Sequence, residues 1–224
     1  MAWSKLLVFV RHGESEGNIL NVDERAELEI PTHEYALTLR GRRQALMAGL
    51  YLNKEFGSFD VYYNSTYRRA KETMTLMCPN VKEPHEDPRL DEADRGIWHT
   101  MTKEDIEKFM PWEIKRKNRV GLYRYRPFGG ESWPQVELRI HSFLGTLARD
   151  YSGDRVLIVG HGNWFILFQR LIHHFSIKEA ERRYHEAVLE NTSITVYEEA
   201  AIGGKSRMVL NKKYDNFVPW KGLL

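Results

Sequence analysis

Cysteine is nearly absent from this 224-residue chain. Cys78 is the only one, so no disulfide can form within it, and a reducing, cytoplasmic setting is expected. Long apolar runs are missing too. No stretch approaches the roughly 20 consecutive apolar residues that cross a bilayer, and the run after Lys5 is too short for a signal-peptide core. No membrane partner is therefore expected. Charge of one sign is not in excess either: 33 Lys and Arg against 31 Asp and Glu leave +2, which argues against a nucleic-acid partner. Internal repeats and low-complexity segments are lacking. His173 and His174 are adjacent rather than at metal-ligand spacing, and no other metal cluster is visible, so neither metal nor cofactor is expected.

What is present suits an α/β fold. An apolar fraction of 42% supports one domain over residues 1–224 with a substantial core. Short β-branched runs at 6–10, 59–63 and 156–159 read as buried strands of a parallel sheet. Helices are expected between them, over 39–53 after a Thr38 N-cap, 66–77, about 103–117, from a Ser132/Gln135 capping box onward, and 164–172. Gly41, Ala45, Ala48 and Gly49 give the first of these a small, close-packing face, and residues 191–197 and 205–210 read as a closing strand pair. The expected architecture has three layers, with a mostly parallel central sheet flanked by helices. Two irregular segments, at about 19–37 and 96–130, are expected to face the substrate, and a tail begins at about residue 212.

Two of the strands stop at a histidine. Val8-Phe9-Val10 runs into Arg11-His12-Gly13, and Val156 to Val159 runs into Gly160-His161-Gly162. Ligands of open α/β sheets sit outside the carboxyl ends of strands. A third strand end leads to Arg69, and Leu90-Asp91-Glu92 adds a carboxylate. Two imidazoles, two guanidiniums and a carboxyl group suit phosphoryl transfer: arginine forks hold phosphate oxygens, an imidazole attacks, and a carboxyl group protonates the leaving oxygen.

These residues resemble the signature of the histidine phosphatase superfamily, which includes the cofactor-dependent phosphoglycerate mutases. Arg11-His12-Gly13-Glu14-Ser15 with Asn18, Ser65 with Arg69-Ala70 and Thr73, Leu90 with Glu92, Gly130-Glu131-Ser132, and His161-Gly162 follow in the family's order over nearly the whole chain. The resemblance implies a phosphoglycerate mutase-like fold and an enzyme without a metal. It implies that His12 attacks phosphorus, that Arg11, Arg69 and His161 bind the transferring oxygens, and that Glu92 serves as general acid and then base. Asn18, Ser65 and Gly162 join the phosphate- and substrate-binding set. The family spacing from Ser65 selects Arg69 over its neighbour Arg68.

Within the family, two activities compete. Gly160-His161-Gly162-Asn163 has a mutase flavour, and Lys115-Arg116-Lys117 could mimic a mutase's basic pair. Ala93-Asp94-Arg95 after Glu92 departs from the mutase pattern, and Asn191-Thr192-Ser193-Ile194 looks more like the phosphatase branch. The expected function is hydrolysis of a small phosphorylated substrate. The alternative is a mutase, for which bisphosphoglycerate would be the cofactor; a non-catalytic phospho-ligand or protein-binding module is more distant. The sequence leaves the oligomeric state open.

Overall fold

The computed structural model describes residues 3–187 and 189–223. Six strands form one sheet: β1 (Leu6–Arg11), β2 (Val61–Asn64), β3 (His85–Glu86), β4 (Arg155–Gly160), β5 (Ile194–Ile202) and β6 (Lys205–Leu210). Their spatial order is β3-β2-β4-β1-β5-β6. The first four are mutually parallel, and β5 and β6 close the far edge antiparallel. Gly203 and Gly204, both at positive φ, make the turn between β5 and β6.

The strands alternate their side chains between two helical layers. Leu7, Phe9, Val156 and Ile158 point to one face, where α7 (Trp133–Asp150) and α8 (Gly162–His173) cover them. Val8, Val10, Leu157 and Val159 point to the other, under α3 (Leu39–Phe56) and α4 (Arg68–Met77). Each fully buried Leu, Ile or Phe contributes about 1.5–3 kcal/mol. The short helices α1 (Glu16–Ile19), α2 (Val22–Ala26), α5 (Lys103–Phe109), α6 (Pro111–Val120) and α9 (Ile177–Glu186) belong to the excursions between these layers.

Local chemistry sets the helix boundaries. Thr38 Oγ1 accepts from Gly41 N at 3.0 Å and starts α3, while Gln135 accepts from Ser132 N at 2.9 Å and starts α7. The small face of α3 is buried on its neighbour: a Cβ on Gly49 would lie 2.3 Å from Met77 O. One expected helix, at about 103–117, is instead two, because Pro111 opens a fresh first turn after Met110.

Register is what builds the site. Arg11 pairs with Gly160, so β1 and β4 end level and release His12 and His161 side by side. His12 N donates to Gly160 O at 3.0 Å. Asn64 of β2 pairs with Val159, and Ser65 N donates to Val159 O at 3.1 Å, which brings a third strand end to the same edge.

The tail folds back on the protein. Tyr214 and Trp220 are buried, and Trp220 Nε1 donates to Asn191 O and Thr192 Oγ1 at 3.0 and 2.7 Å. Leu224 lies outside the described residues.

Candidate active site

His12 follows the last residue of β1 and is only 3% exposed. Its Nδ1 donates to Gly13 O at 2.7 Å, which leaves the Nε2 lone pair facing Arg69 Nε at 3.2 Å. Burial first, then the charges of Arg69 and Arg11, hold its pKa well below the ordinary histidine value. The imidazole is thus neutral, with Nδ1 fixed and Nε2 left as a lone pair that accepts from Arg69 Nε.

The chain after His12 lies directly on the start of α3. A Cβ on Gly41 would come 1.9 Å from Glu14 O, and one on Gly13 would come 2.6 Å from Gly41 O. No side chain fits at either position. Gly13 N donates to Thr73 Oγ1 at 3.0 Å, and that hydroxyl donates to Arg69 O at 2.7 Å. Thr73 therefore ties the His12 loop to the helix that carries Arg69.

Arg69 lies between the two histidines. Its Nε donates to His12, its Nη2 faces His161 Nδ1 at 3.3 Å, and its Nη1 donates to Thr32 O at 2.7 Å. The guanidinium also stacks 4.8 Å from the Tyr67 ring centroid. Arg68 points away, exposed and paired with Glu72 at 2.9 Å. Arg11 enters from the other side: its Nη1 donates to Leu189 O, while its buried Nε has no partner among the described residues.

His161 occupies the N-cap position of α8 and is fully buried. Burial, and then the nearby Arg69, depresses its pKa far below the usual value. Its Nε2 lies 2.7 Å from Ser65 Oγ, which lies 2.7 Å from Asp91 Oδ1. Asp91 also accepts from Thr66 N and Thr66 Oγ1, both at 2.8 Å. Proton bookkeeping then has one solution. Ser65 gives its single proton to the carboxylate, accepts Tyr67 N–H at 3.1 Å, and accepts His161 Nε2–H. Ser65 thus sits behind His161, with no surface in the cleft.

Glu92 stands at the start of α8. Its Oε1 accepts from Ala93 N and Trp164 N, each at 3.0 Å, and its Oε2 accepts from Asn163 N at 3.2 Å. Two of these donors are orphan amides of the first helical turn, whose dipole favours an anion.

The residues enclose a cleft of about 200 Å³, lined also by Asn18 and Gly162. Of the residues singled out from sequence, Arg11, His12, Asn18, Arg69, Glu92 and Gly162 line the cleft, whereas His161 and Ser65 lie behind it. Asn18 is exposed, and its Oδ1 accepts from Ser15 N at 3.0 Å and from Asn191 Nδ2 at 3.2 Å. Asn191 Nδ2 also donates to His12 O at 3.0 Å. Residues not foreseen from sequence are Asp91, Asn191 and, in the lining, Arg25, Tyr35, Tyr67, Arg95 and His99. His99 is buried enough to lower its pKa to about 4. Lys115-Arg116-Lys117 is not a free basic pair: Arg116 pairs with the buried Glu113 at 2.7 Å, and Lys117 lies 4.8 Å over the Trp98 ring.

Comparison with known proteins identifies the family. Residues 7–211 fit the sequence profile of the histidine phosphatase superfamily, branch 1. The chain is 31% identical over 166 residues to a 2,3-bisphosphoglycerate-dependent phosphoglycerate mutase of Methylorubrum extorquens, covering 71% of this chain and 74% of that protein. Its fold is similar to the alpha-ribazole phosphatase of Shigella flexneri, with a TM-score of 0.72 at 22% identity over 95% of this chain and 98% of that one. A mycobacterial glucosyl-3-phosphoglycerate phosphatase matches with a TM-score of 0.69 at 22% identity, over 93% and 98% of the two chains. The chain belongs to the histidine phosphatase superfamily.

Proposed function

We propose that the protein is a phosphomonoester hydrolase that needs no metal and works through a phosphohistidine on His12. The observation that carries this reading is the fixed, neutral imidazole of His12, with Nδ1 held by Gly13 O and an unprotonated Nε2 that accepts from Arg69, which must release it to the incoming phosphoryl group. His12 Nε2 attacks phosphorus as the bond from phosphorus to the ester oxygen breaks. A proton on Glu92 passes to the departing oxygen. Water then attacks phosphorus and gives its proton to Glu92, the phosphorus–nitrogen bond breaks, and inorganic phosphate leaves with His12 regenerated. Arg11 and Arg69 carry the charge spread over the three equatorial oxygens, the task that a metal performs in other phosphoryl-transfer sites, and His161 joins them when its Nδ1 takes up a proton as the anionic substrate binds.

The cleft takes a small phosphorylated substrate, contacted by Asn18 and Gly162 and walled by the segments 19–37 and 96–130. Hydrolysis is favoured over mutation because Arg116 and Lys117, the residues nearest to a mutase's basic pair, are committed to Glu113 and Trp98. The mutase reading keeps support from the 31% identical relative. The lone cysteine fits a reducing, cytoplasmic setting.

A phosphate-release screen over small phosphoesters in EDTA, run beside a mutase assay with bisphosphoglycerate, decides between them. Release that persists in EDTA and exceeds mutase turnover is expected. Mutase turnover with negligible release, or complete dependence on an added metal, overturns the proposal.

A further inference from the structure

We propose that the open edge of β6 is a docking site for an extended segment of another protein. The side chains of that segment alternate between apolar and acidic, and its backbone joins the sheet as a further strand.

The backbone provides the first argument. β6 is the last strand of the sheet and pairs only with β5, in an unbroken register from Lys205 to Leu210 that contains no bulge and no proline. Asn211 N donates to Val196 O at 2.8 Å, which makes these two residues a hydrogen-bonded pair. Alternation along an antiparallel ladder then turns the backbone of Lys205, Arg207 and Val209 towards β5, and that of Ser206, Met208 and Leu210 outwards. No other part of the described chain bonds to those outward N–H and C=O groups. Such a row is a template for an added strand.

The two faces beside that row differ in chemistry. Met208 packs on the side of α7 and α8, where a groove of about 840 Å³ opens next to the strand. Its apolar lining includes Trp3, Leu144, Ala148, Leu171, Ile172 and Met208. Trp3 N donates to Ser206 Oγ at 3.0 Å, which ties Trp3 to the groove side of β6. By strand alternation the opposite face presents Lys205, Arg207 and the exposed Val209. Neither cation has a hydrogen bond or ion pair among the described residues. The nearby acids are already engaged: Glu198 accepts from Asn211 Nδ2 at 2.8 Å, and Glu199 accepts from Ser206 Oγ at 2.5 Å. Arg170, at the groove, is neutralised by Glu137 at 2.8 Å. A strand laid against β6 therefore meets an apolar groove with one set of side chains and two uncompensated cations with the other. The same cations disfavour a second copy of this chain. Two-fold pairing of β6 with itself would set like faces side by side, and Lys205 and Arg207 against their own counterparts.

Fluorescence anisotropy with labelled, end-capped octapeptides tests this on the intact protein. A peptide of alternating Val and Glu should bind about tenfold or more tighter than one of alternating Val and Lys, because like charges across an interface are penalised. A peptide of alternating Ser and Glu keeps the backbone and the charge but leaves the groove empty, and should bind several-fold more weakly than the Val and Glu peptide. K205E/R207E should reverse the preference between the acidic and basic peptides while leaving the melting temperature unchanged. Methylating the backbone nitrogens of one alternate set, Val or Glu, should abolish binding, and methylating the other set should be tolerated, because only one set faces β6. Failure of the Val and Glu peptide to bind overturns the proposal, as does binding that survives both methylations and ignores the charge reversal. A stable dimer in sedimentation velocity that K205E/R207E abolishes would give the edge to a second copy and overturn it as well.

Discussion

The Ser65 hydroxyl stands 2.7 Å from His161 Nε2 and passes its own proton to Asp91, also at 2.7 Å. That contact commits the Nε2 proton of His161. Nδ1 is left as an acceptor beside Arg69 Nη2. Ser65→Ala and Asp91→Ala should therefore lower kcat by about ten- to a hundredfold, the range found when orienting partners of functional histidines are removed. KM should move little, and Asp91→Asn should be milder because it can still accept from Ser65. A rise in KM with kcat intact would place these residues in binding instead.

His12→Ala should abolish both turnover and acid-labile labelling by a phosphorylated substrate. Label retained in that variant, detected by radiography after an alkaline quench, would move the nucleophile to another residue.

Arg69 and its neighbour offer an internal contrast. Arg69→Ala removes contacts to both histidines and should cost about 10²–10³ in kcat, as for other donors aimed at transition-state charge. Arg68→Ala removes an exposed pair with Glu72 and should leave kcat within about twofold. Equal losses in steady-state assays would refute the assignment.

Acid should destabilise the fold. His12 and His161 are held neutral far below the usual histidine pKa, and His99 down to about 4. Their unfolded counterparts take up protons below about 6.5, so each histidine favours unfolding by up to about 1.4 kcal/mol per pH unit from there towards its folded pKa. Above about 6.5 the three contribute no slope. Thermal denaturation from pH 7.5 to pH 4.5 measures this, and His99→Gln should flatten the profile. A melting temperature independent of pH would contradict the buried neutral histidines.

Gly41→Ala tests the seat of the nucleophile loop. The added methyl group would lie 1.9 Å from Glu14 O. Backbone must move, at a cost of about 1–3 kcal/mol or more in stability, read by urea denaturation, with a fall in kcat alongside. A variant as stable and active as the parent would remove this constraint.

Much of this arrangement was legible in the sequence because it is local. The two strand ends at His12 and His161, the Thr38 and Ser132 caps and the small face of α3 are written in neighbouring residues. The break between α5 and α6 was missed: Pro111 marks a first turn, but the polar helix pattern runs straight across it. Arg25, Tyr35 and Arg95 were not legible. They reach the cleft only because two long excursions fold over the sheet and are joined by the Asp23–Lys103 contact. Asp91 stood next to Glu92 in the sequence, but only the pairing of β2 with β4 brings it to His161 through Ser65. No periodicity reports contacts of that range.

The docked tail gives the site a schedule as well as a shape. Trp220 holds Asn191 O, and Asn191 Nδ2 holds the carbonyl of His12. Some two hundred residues separate Trp220 from His12, yet the one braces the backbone of the other through Asn191. During synthesis, the imidazole would wait that long before its final support arrives. Chains cut between Leu210 and Trp220 should therefore keep the whole sheet and lose activity, and an interrupted translation product would be silent even though it carries His12, Arg69 and Glu92.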